Sequence, residues 1–448
     1  MTTTTLNPEA VGGSTQLLIG GRWMDASDGR TFTVHDPANG EVIAVVADAS
    51  VVDGLAAVGA AHDALPAWAA TPPRQRGEVL RRTFELMTER SDELARLIVR
   101  ENGKALSDAR GEVTYAAEFF RWFAEEAVRA GGDLQTAPSG TNRILVIRQP
   151  IGVSVLVTPW NFPAAMATRK IGPALAAGCT VVLKPASDTP LTALVMGAIL
   201  CDAGVPAGVV NILPSRRSGA VVGAMLHDPR VRKLSFTGST AVGRGLLHEA
   251  ADCVVNCSME LGGNAPFIVF DDADLESAVA GAMVAKMRNG GEACTAANRF
   301  LVQRGIAAEF GARLAQTMGT LRVGPGLEDG VQLGPLINAA GRDKVALLVD
   351  GAVSDGARIT VGGSIPDGPG FFYPPTVLVD VPPTAAILRE EIFGPVAPLV
   401  VFDTEEEAVK LANDSEYGLI AYVYTRDLQR GLRFSEALES GMVGLNRP

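Results

Sequence analysis

The feature that most constrains the fold is a fourfold alternation of short apolar stretches and helical stretches between residues 152 and 258. Apolar runs bounded by turn residues predict buried strands, and helical spacing of apolar residues after each run predicts helices. The strands are expected at 152–157, 180–185, 209–214 and 233–238, and the helices at 164–178, 191–204, 218–226 and 241–250. This alternation predicts an α/β fold with a parallel, doubly wound sheet, whose ligands bind at the carboxyl ends of the strands.

A second alternating unit follows residue 258, with a strand at 265–270, a helix at 275–287 and a strand at 299–303. The stretch 141–150 alternates like an exposed strand, and a Ser-Gly turn precedes it. No repeat, low-complexity tract or long linker separates these parts. The sequence therefore predicts interleaved domains.

Composition excludes several classes of protein. The 448 residues are enough for two or three domains, and the net charge of −11 disfavours nucleic-acid binding. No signal peptide is evident, and the longest apolar run, 191–200, is too short to span a membrane. The five cysteines show no spacing typical of a metal site. We therefore expect a cytoplasmic protein with reduced cysteines, no metal site and no membrane or nucleic-acid partner.

One cysteine, Cys294, lies in a polar, glycine-rich stretch rather than in a core pattern. The helix predicted at 275–287 has acids near its start and Arg288 and Gly290 just after its end. The thiol is therefore expected on a turn. A cysteine on a loop of a rigid scaffold is a candidate nucleophile, and the alternative is a small apolar residue that fills the turn.

Two polar side chains are candidates for catalytic roles, one as a donor to an oxyanion and the other as a base. Asn161 lies between Pro159 and Pro163 after a buried strand, where its amide can donate to an oxyanion or simply stabilise the turn. Glu260 precedes a glycine pair and an apolar strand. We expect its carboxylate to be partly desolvated, with a raised pKa suited to a base; the alternative is a helix cap.

Two further stretches carry weaker signals. Residues 235–245 join a strand to a helix, but Arg244 and Gly245 stand where a Walker loop requires Lys and Ser or Thr. The turn at Gly238 and Ser239 can still offer backbone N–H groups to a pyrophosphate. The stretch 389–396 contains two adjacent acids, which alone are typical of a solvated face.

Taken in order, PWNFP, KPA, FTGS, ELGG, the glycine-rich turn before Cys294 and EEIFGP resemble the aldehyde dehydrogenase superfamily across essentially the whole chain. The resemblance implies an aldehyde dehydrogenase-like fold. In it, a Rossmann-type dinucleotide-binding domain spans 1–129 and 151–258, a bridging β-hairpin for oligomerisation spans 130–150, and a second α/β catalytic domain spans 259–448.

The same resemblance implies the chemistry. Cys294 attacks the aldehyde carbon to give a thiohemiacetal, and Asn161 with the backbone N–H of Cys294 stabilises the oxyanion. Hydride transfer to a nicotinamide leaves a thioester, and Glu260 activates the water that hydrolyses it. A CoA-dependent reaction is less favoured, because Glu260 offers a hydrolytic base.

The resemblance also implies the cofactor contacts: Lys184 and Glu391 at the riboses, Gly238 and Ser239 at the pyrophosphate, and Trp160 and Phe393 at the nicotinamide end. Thr158 and Ser187 complete the predicted cofactor-binding residues. NAD-preferring members often carry Glu where this chain has Ser187. Without that carboxylate, repulsion of a 2′-phosphate is relieved, and Lys184 adds attraction. We therefore expect NADP as cofactor, with NAD possible. Arg216 and Arg217 either help or are solvated surface.

Within the superfamily, residues 116–133 and 168–190 are similar to succinic semialdehyde dehydrogenases. Arg169 and Arg288 match the arginines that hold the substrate carboxylate in that group. The alternatives are an ion pair on a helix face for Arg169 and a helix C-terminal cation for Arg288. Glutarate semialdehyde is the closest rival substrate.

The match breaks at the end of the sequence, at Pro448. Family members continue into a tail that completes the catalytic domain and pairs with the hairpin of a neighbouring subunit. With such a tail, the resemblance implies a homodimer or homotetramer. The tail's absence leaves open a second class of function, a protein that binds nucleotide but does not turn over.

Overall fold

The computed structural model describes residues 14–448, which divide into two compact units. The first unit contains the chain up to Asp36, Glu41–Glu101 and Ala109–Leu261. The second unit contains Pro37–Gly40, Asn102–Asp108 and Gly262–Pro448. The chain therefore passes between the units more than once, and the roles assigned above to ranges of the sequence stay predictions.

The first unit is an α/β structure. Its strands are β1 (Leu17–Ile19), β2 (Arg22–Met24), β3 (Thr31–His35), β4 (Val42–Ala47), β5 (Asp133–Thr136), β6 (Arg143–Val146), β7 (Val153–Val157), β8 (Thr180–Lys184), β9 (Val210–Ile212), β10 (Val231–Thr237) and β11 (Asn256–Glu260). Its helices, with α3 and α4 mostly in this unit, are α1 (Val51–Ala70), α2 (Pro73–Glu89), α3 (Ser91–Asn102), α4 (Leu106–Glu126), α5 (Pro163–Ala176), α6 (Pro190–Asp202), α7 (Ser218–Leu226) and α8 (Thr240–Asp252).

The main sheet of this unit has the strand order β11-β10-β7-β8-β9-β1-β2. The strands from β11 to β9 run parallel, and β1 and β2 add an antiparallel edge. Helices α1 and α7 share a buried core with alternate side chains of β7, and α5 and α6 pack against each other and the sheet. The four predicted strand–helix pairs are confirmed, and so is the predicted α/β fold.

The second unit is built around another seven-stranded sheet, ordered β14-β15-β16-β13-β12-β17-β18, with only β14 antiparallel. Its strands are β12 (Ala265–Val269), β13 (Ala297–Gln303), β14 (Arg358–Val361), β15 (Thr376–Val379), β16 (Val396–Phe402), β17 (Ile420–Tyr424) and β18 (Met442–Leu445). Its helices are α9 (Leu275–Met287), α10 (Arg304–Gly319), α11 (Ala339–Ser354), α12 (Glu405–Asn413) and α13 (Leu428–Ala437). The predicted strand, helix and strand after residue 258 are confirmed as β12, α9 and β13.

Strands β5 and β6 form a separate antiparallel hairpin in the range predicted to bridge subunits. Every residue of both strands is exposed, and Leu134 and Leu145 are 70% and 71% exposed. The exposed strand expected within 141–150 is confirmed, while its part in assembly stays a prediction. Between residues 14 and 448, no helix is both long and apolar enough to cross a membrane.

Two buried glutamates cap the helices that follow β7 and β8. Helices α5 and α6 both begin with proline and lack a cap from their own N-cap side chain. Glu112 of α4, 2% exposed, accepts from the Ala164 backbone N–H at 2.8 Å. Glu101 of α3, fully buried, accepts from the Leu191 backbone N–H at 2.8 Å. Because the first N–H groups of a helix have no partner within it, these carboxylates supply the missing acceptors.

We expect Glu112→Ala to lower the free energy of unfolding by about 2 kcal/mol, because it leaves buried N–H groups of α5 without an acceptor. Chemical denaturation followed by circular dichroism measures this. The control is Glu118→Ala on the same helix, which removes an exposed carboxylate paired with Arg121 and is expected to change stability little. Equal losses in the two variants would contradict the capping role.

Candidate active site

The first unit places three predicted residues directly after β7. Thr158 is buried, and its backbone N–H donates to the Lys184 carbonyl oxygen at 3.3 Å. Trp160 is half-buried, and Asn161 is 5% exposed just before the start of α5. The β7 and β8 strand ends therefore bring Thr158, Asn161 and Lys184 to one edge of the sheet, where a parallel sheet binds ligands.

Lys184 ends β8 with a buried side chain, 6% exposed. Burial lowers the pKa of its ammonium to about 8, and the nearby Asp188 opposes this shift. The ammonium forms no ion pair with any residue in the described part of the chain. Ser187, three residues on, is half-buried. A desolvated amine that forms no ion pair can hold the oxygen atoms of a sugar or a phosphate.

Gly238 and Ser239 connect β10 to α8. The Gly238 backbone N–H donates to the Glu260 carbonyl oxygen at 3.1 Å, and the exposed Ser239 accepts from the Val242 N–H as the N-cap. A side chain at position 238 would overlap the Phe236 ring, with its Cβ at 2.6 Å. No acidic residue lies in the first turn of α8. This N-terminus is therefore open to an anion, unlike those of α5 and α6.

Glu260 ends the edge strand β11 and is exposed. The expectation that its carboxylate is partly desolvated is therefore wrong, because the edge position of β11 leaves its outer side chains in solvent. Sequence reasoning missed its neighbour Lys170 on α5, which is 6% exposed and donates to the Ser235 hydroxyl at 3.0 Å. Burial, then Arg169, lowers the pKa of Lys170 to about 8, and Glu260 opposes this. Two adjacent basic residues, Arg169 and Lys170, within the largely apolar segment that forms α5 were the available signal.

The arginines of the first unit have different surroundings. Arg169 is half-buried, and its guanidinium lies 5.4 Å from the centroid of the Phe119 ring. It forms no ion pair within residues 14–448, so the helix-face ion pair considered above is absent there. Arg217 instead pairs with Asp28 at 2.6 Å, which commits it to the protein surface.

The second unit places Cys294 on the predicted turn. Helix α9 ends at Met287, and a tight, non-helical turn, Arg288–Gly291, follows it. Asn289, Gly290 and Gly291 all have positive φ angles of 55°, 63° and 81°. Cys294 itself is half-buried and lies outside any helix or strand. The glycine pair permits the left-handed backbone that carries the chain from α9 to the thiol.

Gly263 lies against both Cys294 and Glu391. A Cβ added to Gly263 would overlap the carbonyl oxygen of Cys294, and the Gly263 N–H donates to Glu391 Oε1 at 3.0 Å. Burial raises the pKa of Glu391, while the Gly263 N–H, Lys344 and Lys286 oppose the shift. Phe393 follows, half-buried, at a φ of 57°. The unit thus gathers its predicted nucleophile and its predicted ribose carboxylate around one glycine.

Arg288 is exposed directly after α9, so both interpretations given for it above remain open. Sequence reasoning missed two buried side chains in this unit. Glu292 is 3% exposed and accepts from the Ile337 N–H at 3.1 Å; burial raises its pKa to about 8. Tyr422 of β17 is 4% exposed, and its hydroxyl donates to the Thr295 carbonyl at 2.8 Å. Neither contact could be found by local pattern, since the partners are far apart in sequence.

We expect Gly263→Ala to lower the rate of aldehyde oxidation on the order of 100-fold, because the new methyl group displaces the Cys294 backbone by an ångström or so. Steady-state kinetics with an aldehyde and NADP measure this. Gly245→Ala in α8 is the control, because nothing lies within 4 Å of its added Cβ. Equal rates for the two variants would show that the close approach at Gly263 has no consequence for the site.

Comparisons with known proteins agree with this geometry. A profile described as the Aldehyde dehydrogenase family matches residues 23–448. A succinate-semialdehyde dehydrogenase of Paenarthrobacter nicotinovorans is 56% identical over 405 residues, 90% of each chain. A glutarate-semialdehyde dehydrogenase of Pseudomonas putida is 51% identical over 96% of this chain and 89% of its own. A crystal structure described as an Escherichia coli NADP-dependent enzyme has a TM-score of 0.96 at 49% identity, covering 98% of this chain and 91% of its own. The chain belongs to the aldehyde dehydrogenase family.

Proposed function

We propose that this protein oxidises an ω-carboxylated aldehyde, succinic semialdehyde first, to the corresponding acid with NADP. The observation that carries the proposal is the second unit's arrangement of Cys294 and Glu391 around Gly263. In this arrangement a nucleophilic thiol lies on a turn, and a carboxylate that can accept hydrogen bonds from ribose hydroxyl groups is held by the same glycine. Relatives at 56% and 51% identity bear the names of semialdehyde dehydrogenases, which supports this substrate class.

In the first stage, the Cys294 thiolate forms a bond to the aldehyde carbon and gives a thiohemiacetal. Sulfur suits this step because it is strongly nucleophilic even when only partly ionised. The Cys294 backbone N–H and the Asn161 amide donate to the oxygen as negative charge develops there. Asn161 is suited to that role because its side chain is buried and its backbone lies between a strand and a helix.

In the second stage, water hydrolyses the thioester on Cys294 and releases the acid. Glu260 takes a proton from that water, and its exposure keeps the carboxylate in contact with solvent. Lys170, buried beside it, places a positive charge next to this carboxylate. The thiol is then regenerated.

A dinucleotide fits the residues present in each unit. When bound, its nicotinamide supplies the acceptor for the hydride. Lys184 would hold ribose oxygens, and the open α8 N-terminus at Gly238 and Ser239 would hold phosphate. Glu391 accepts a hydrogen bond from Gly263 at one oxygen, which leaves the other for ribose hydroxyl groups.

The proposed preference for NADP depends on Ser187. A neutral, half-buried serine places no negative charge where an adenosine 2′-phosphate would lie, and the Lys184 ammonium offers attraction. Arg217 pairs with Asp28 at 2.6 Å, which favours the surface role considered for it over a cofactor contact. The Escherichia coli structure described as NADP-dependent supports the same cofactor.

The substrate class depends on Arg169 and Arg288. The guanidinium of Arg169 lies over the Phe119 ring, carries no ion pair within the described residues and makes one long contact, at 3.9 Å, to the Met166 sulfur. Its other N–H groups are therefore left for a carboxylate. Glutarate semialdehyde, one methylene longer, is the second candidate, because a relative of that name is 51% identical. A protein that binds nucleotide without turnover is the alternative of another class.

We also propose a cytoplasmic homodimer or homotetramer. The exposed leucines of the β5–β6 hairpin favour burial against another copy of the chain. Scattered cysteines without disulfide spacing are typical of a reducing compartment.

We expect the protein to form NADPH from succinic semialdehyde, and Cys294→Ala to abolish that turnover.

Arg169→Ala and Arg288→Ala should each raise KM for succinic semialdehyde about 10-fold or more, because a charge-assisted hydrogen bond is lost. KM for butanal, which has no carboxylate, should change little. NADPH absorbance measures all of these rates. Absence of turnover with measurable NADP binding would favour the binding-only alternative, and equal effects on both aldehydes would contradict the arginine roles.

We expect Ser187→Glu to shift the ratio of kcat/KM for NADP over NAD toward NAD by about 10-fold or more, because the new carboxylate repels a 2′-phosphate and accepts from a 2′-hydroxyl. Ser187→Ala is the matched control, since it removes the hydroxyl without adding charge. A ratio that stays the same in Ser187→Glu would show that another residue distinguishes the two cofactors.

A further inference from the structure

A tyrosine from a different strand contacts the segment that carries the nucleophile. Tyr422 lies on β17, opposite Phe267 of β12, and its side chain is 4% exposed. Its hydroxyl donates to the Thr295 backbone carbonyl at 2.8 Å. Thr295 directly follows Cys294, so this hydrogen bond acts on the peptide unit next to the thiol.

The nucleophile segment, residues 288–296, has little regular structure to hold it. It connects α9 to β13 and contains three consecutive left-handed residues, two of them glycine. Such backbone gains few constraints from its own sequence. Its own hydrogen bonds close only local turns, such as the one from the Glu292 N–H to the Asn289 carbonyl, so its orientation also depends on contacts made by other parts of the unit.

On the N-terminal side of Cys294, two such contacts are present. The Asn289 N–H donates to Asp108 at 3.2 Å, and Glu292 accepts from the Ile337 N–H at 3.1 Å. At Cys294 itself, the carbonyl oxygen lies against the α-carbon of Gly263. On the C-terminal side, the contact comes from Tyr422. The segment is thus held on both sides of Cys294, and the Tyr422 hydroxyl holds it on the C-terminal side.

The electrostatic neighbours of Tyr422 agree with this position. Burial raises the pKa of its hydroxyl to about 12; Arg288 lowers it and Cys294 raises it further. The hydroxyl therefore lies within electrostatic reach of the nucleophile and of the predicted substrate arginine. With such a pKa it remains protonated, and so a hydrogen-bond donor, across the neutral range.

We propose that Tyr422 is a positioning residue for Cys294: by holding the Thr295 carbonyl, its hydroxyl fixes the orientation of the Cys294 thiol and backbone N–H. This inference rests on the proposed function, in which that thiol attacks an aldehyde and that N–H stabilises the oxyanion. Tyr422 itself does not touch the reacting atoms in this role. It acts through the backbone of the nucleophile segment.

Tyr424, two residues along the same strand, provides a matched control. Its ring stacks on the same Phe267, with centroids 4.9 Å apart against 5.8 Å for Tyr422, and it is 1% exposed. Its hydroxyl lies against Gly281 of α9 rather than against the nucleophile segment. Tyr422→Phe and Tyr424→Phe therefore each remove one buried hydroxyl from the same aromatic cluster, but only the first releases Thr295.

The test compares amide hydrogen exchange and kinetics in the two variants of the full chain. The Glu292 and Ala296 N–H groups donate within the segment to Asn289 and Ala293, so they report its opening. In Tyr422→Phe we expect exchange across 288–296 to become about 5-fold faster and kcat to fall about 10-fold, with KM for NADP and aldehyde within about twofold. Tyr424→Phe should resemble the wild type in both measurements.

Unchanged exchange in Tyr422→Phe, equal effects in both variants, or faster exchange with unchanged kcat would each overturn the proposal. The exchange measurement requires neither cofactor nor turnover. If the wild type fails to oxidise any aldehyde, the proposed function fails, while exchange across the segment still decides whether Tyr422 holds it.

Discussion

The hydrogen bonds from Glu101 and Glu112 to the N-termini of α6 and α5 determine where the first unit can bind a phosphate. A helix N-terminus attracts one anion to its exposed N–H groups, and a carboxylate that occupies them excludes a phosphate. Both glutamates are buried, so solvent does not compete for these positions. The N-terminus of α8, capped only by its own Ser239, is left available at the same edge of the sheet.

In the second unit, the absence of a side chain at Gly263 determines how closely the Cys294 and Glu391 segments can approach each other. Its α-carbon lies against the Cys294 carbonyl, and its N–H holds Glu391. A displacement of this glycine would therefore move the nucleophile and the predicted ribose ligand together. Close-packed backbone transmits such shifts efficiently, because no flexible side chain absorbs them. The predicted nucleophile and the predicted cofactor contact are thus both positioned by Gly263.

Local patterns predicted the fold well, and long-range contacts account for what they missed. The bounds of α9 match the predicted 275–287, because apolar spacing, acids at the start and glycine after the end all act within a few residues. The prediction that Glu260 is partly desolvated was wrong, because its exposure depends on the position of β11 at the edge of the sheet. The contact of Tyr422 with Thr295 joins residues 127 positions apart, and that of Glu101 with Leu191 joins residues 90 apart. No local pattern encodes either.

The exposure of Glu260 bears directly on the proposed hydrolysis. A base that activates water must have water within hydrogen-bond reach, and a carboxylate at the open end of an edge strand meets that requirement without a dedicated channel. The buried ammonium of Lys170 lies close enough to this carboxylate to interact with it electrostatically and provides a positive charge at a fixed position. In the proposed mechanism, an exposed carboxylate beside a buried ammonium acts as the base, which differs from a desolvated carboxylate held in a dry pocket.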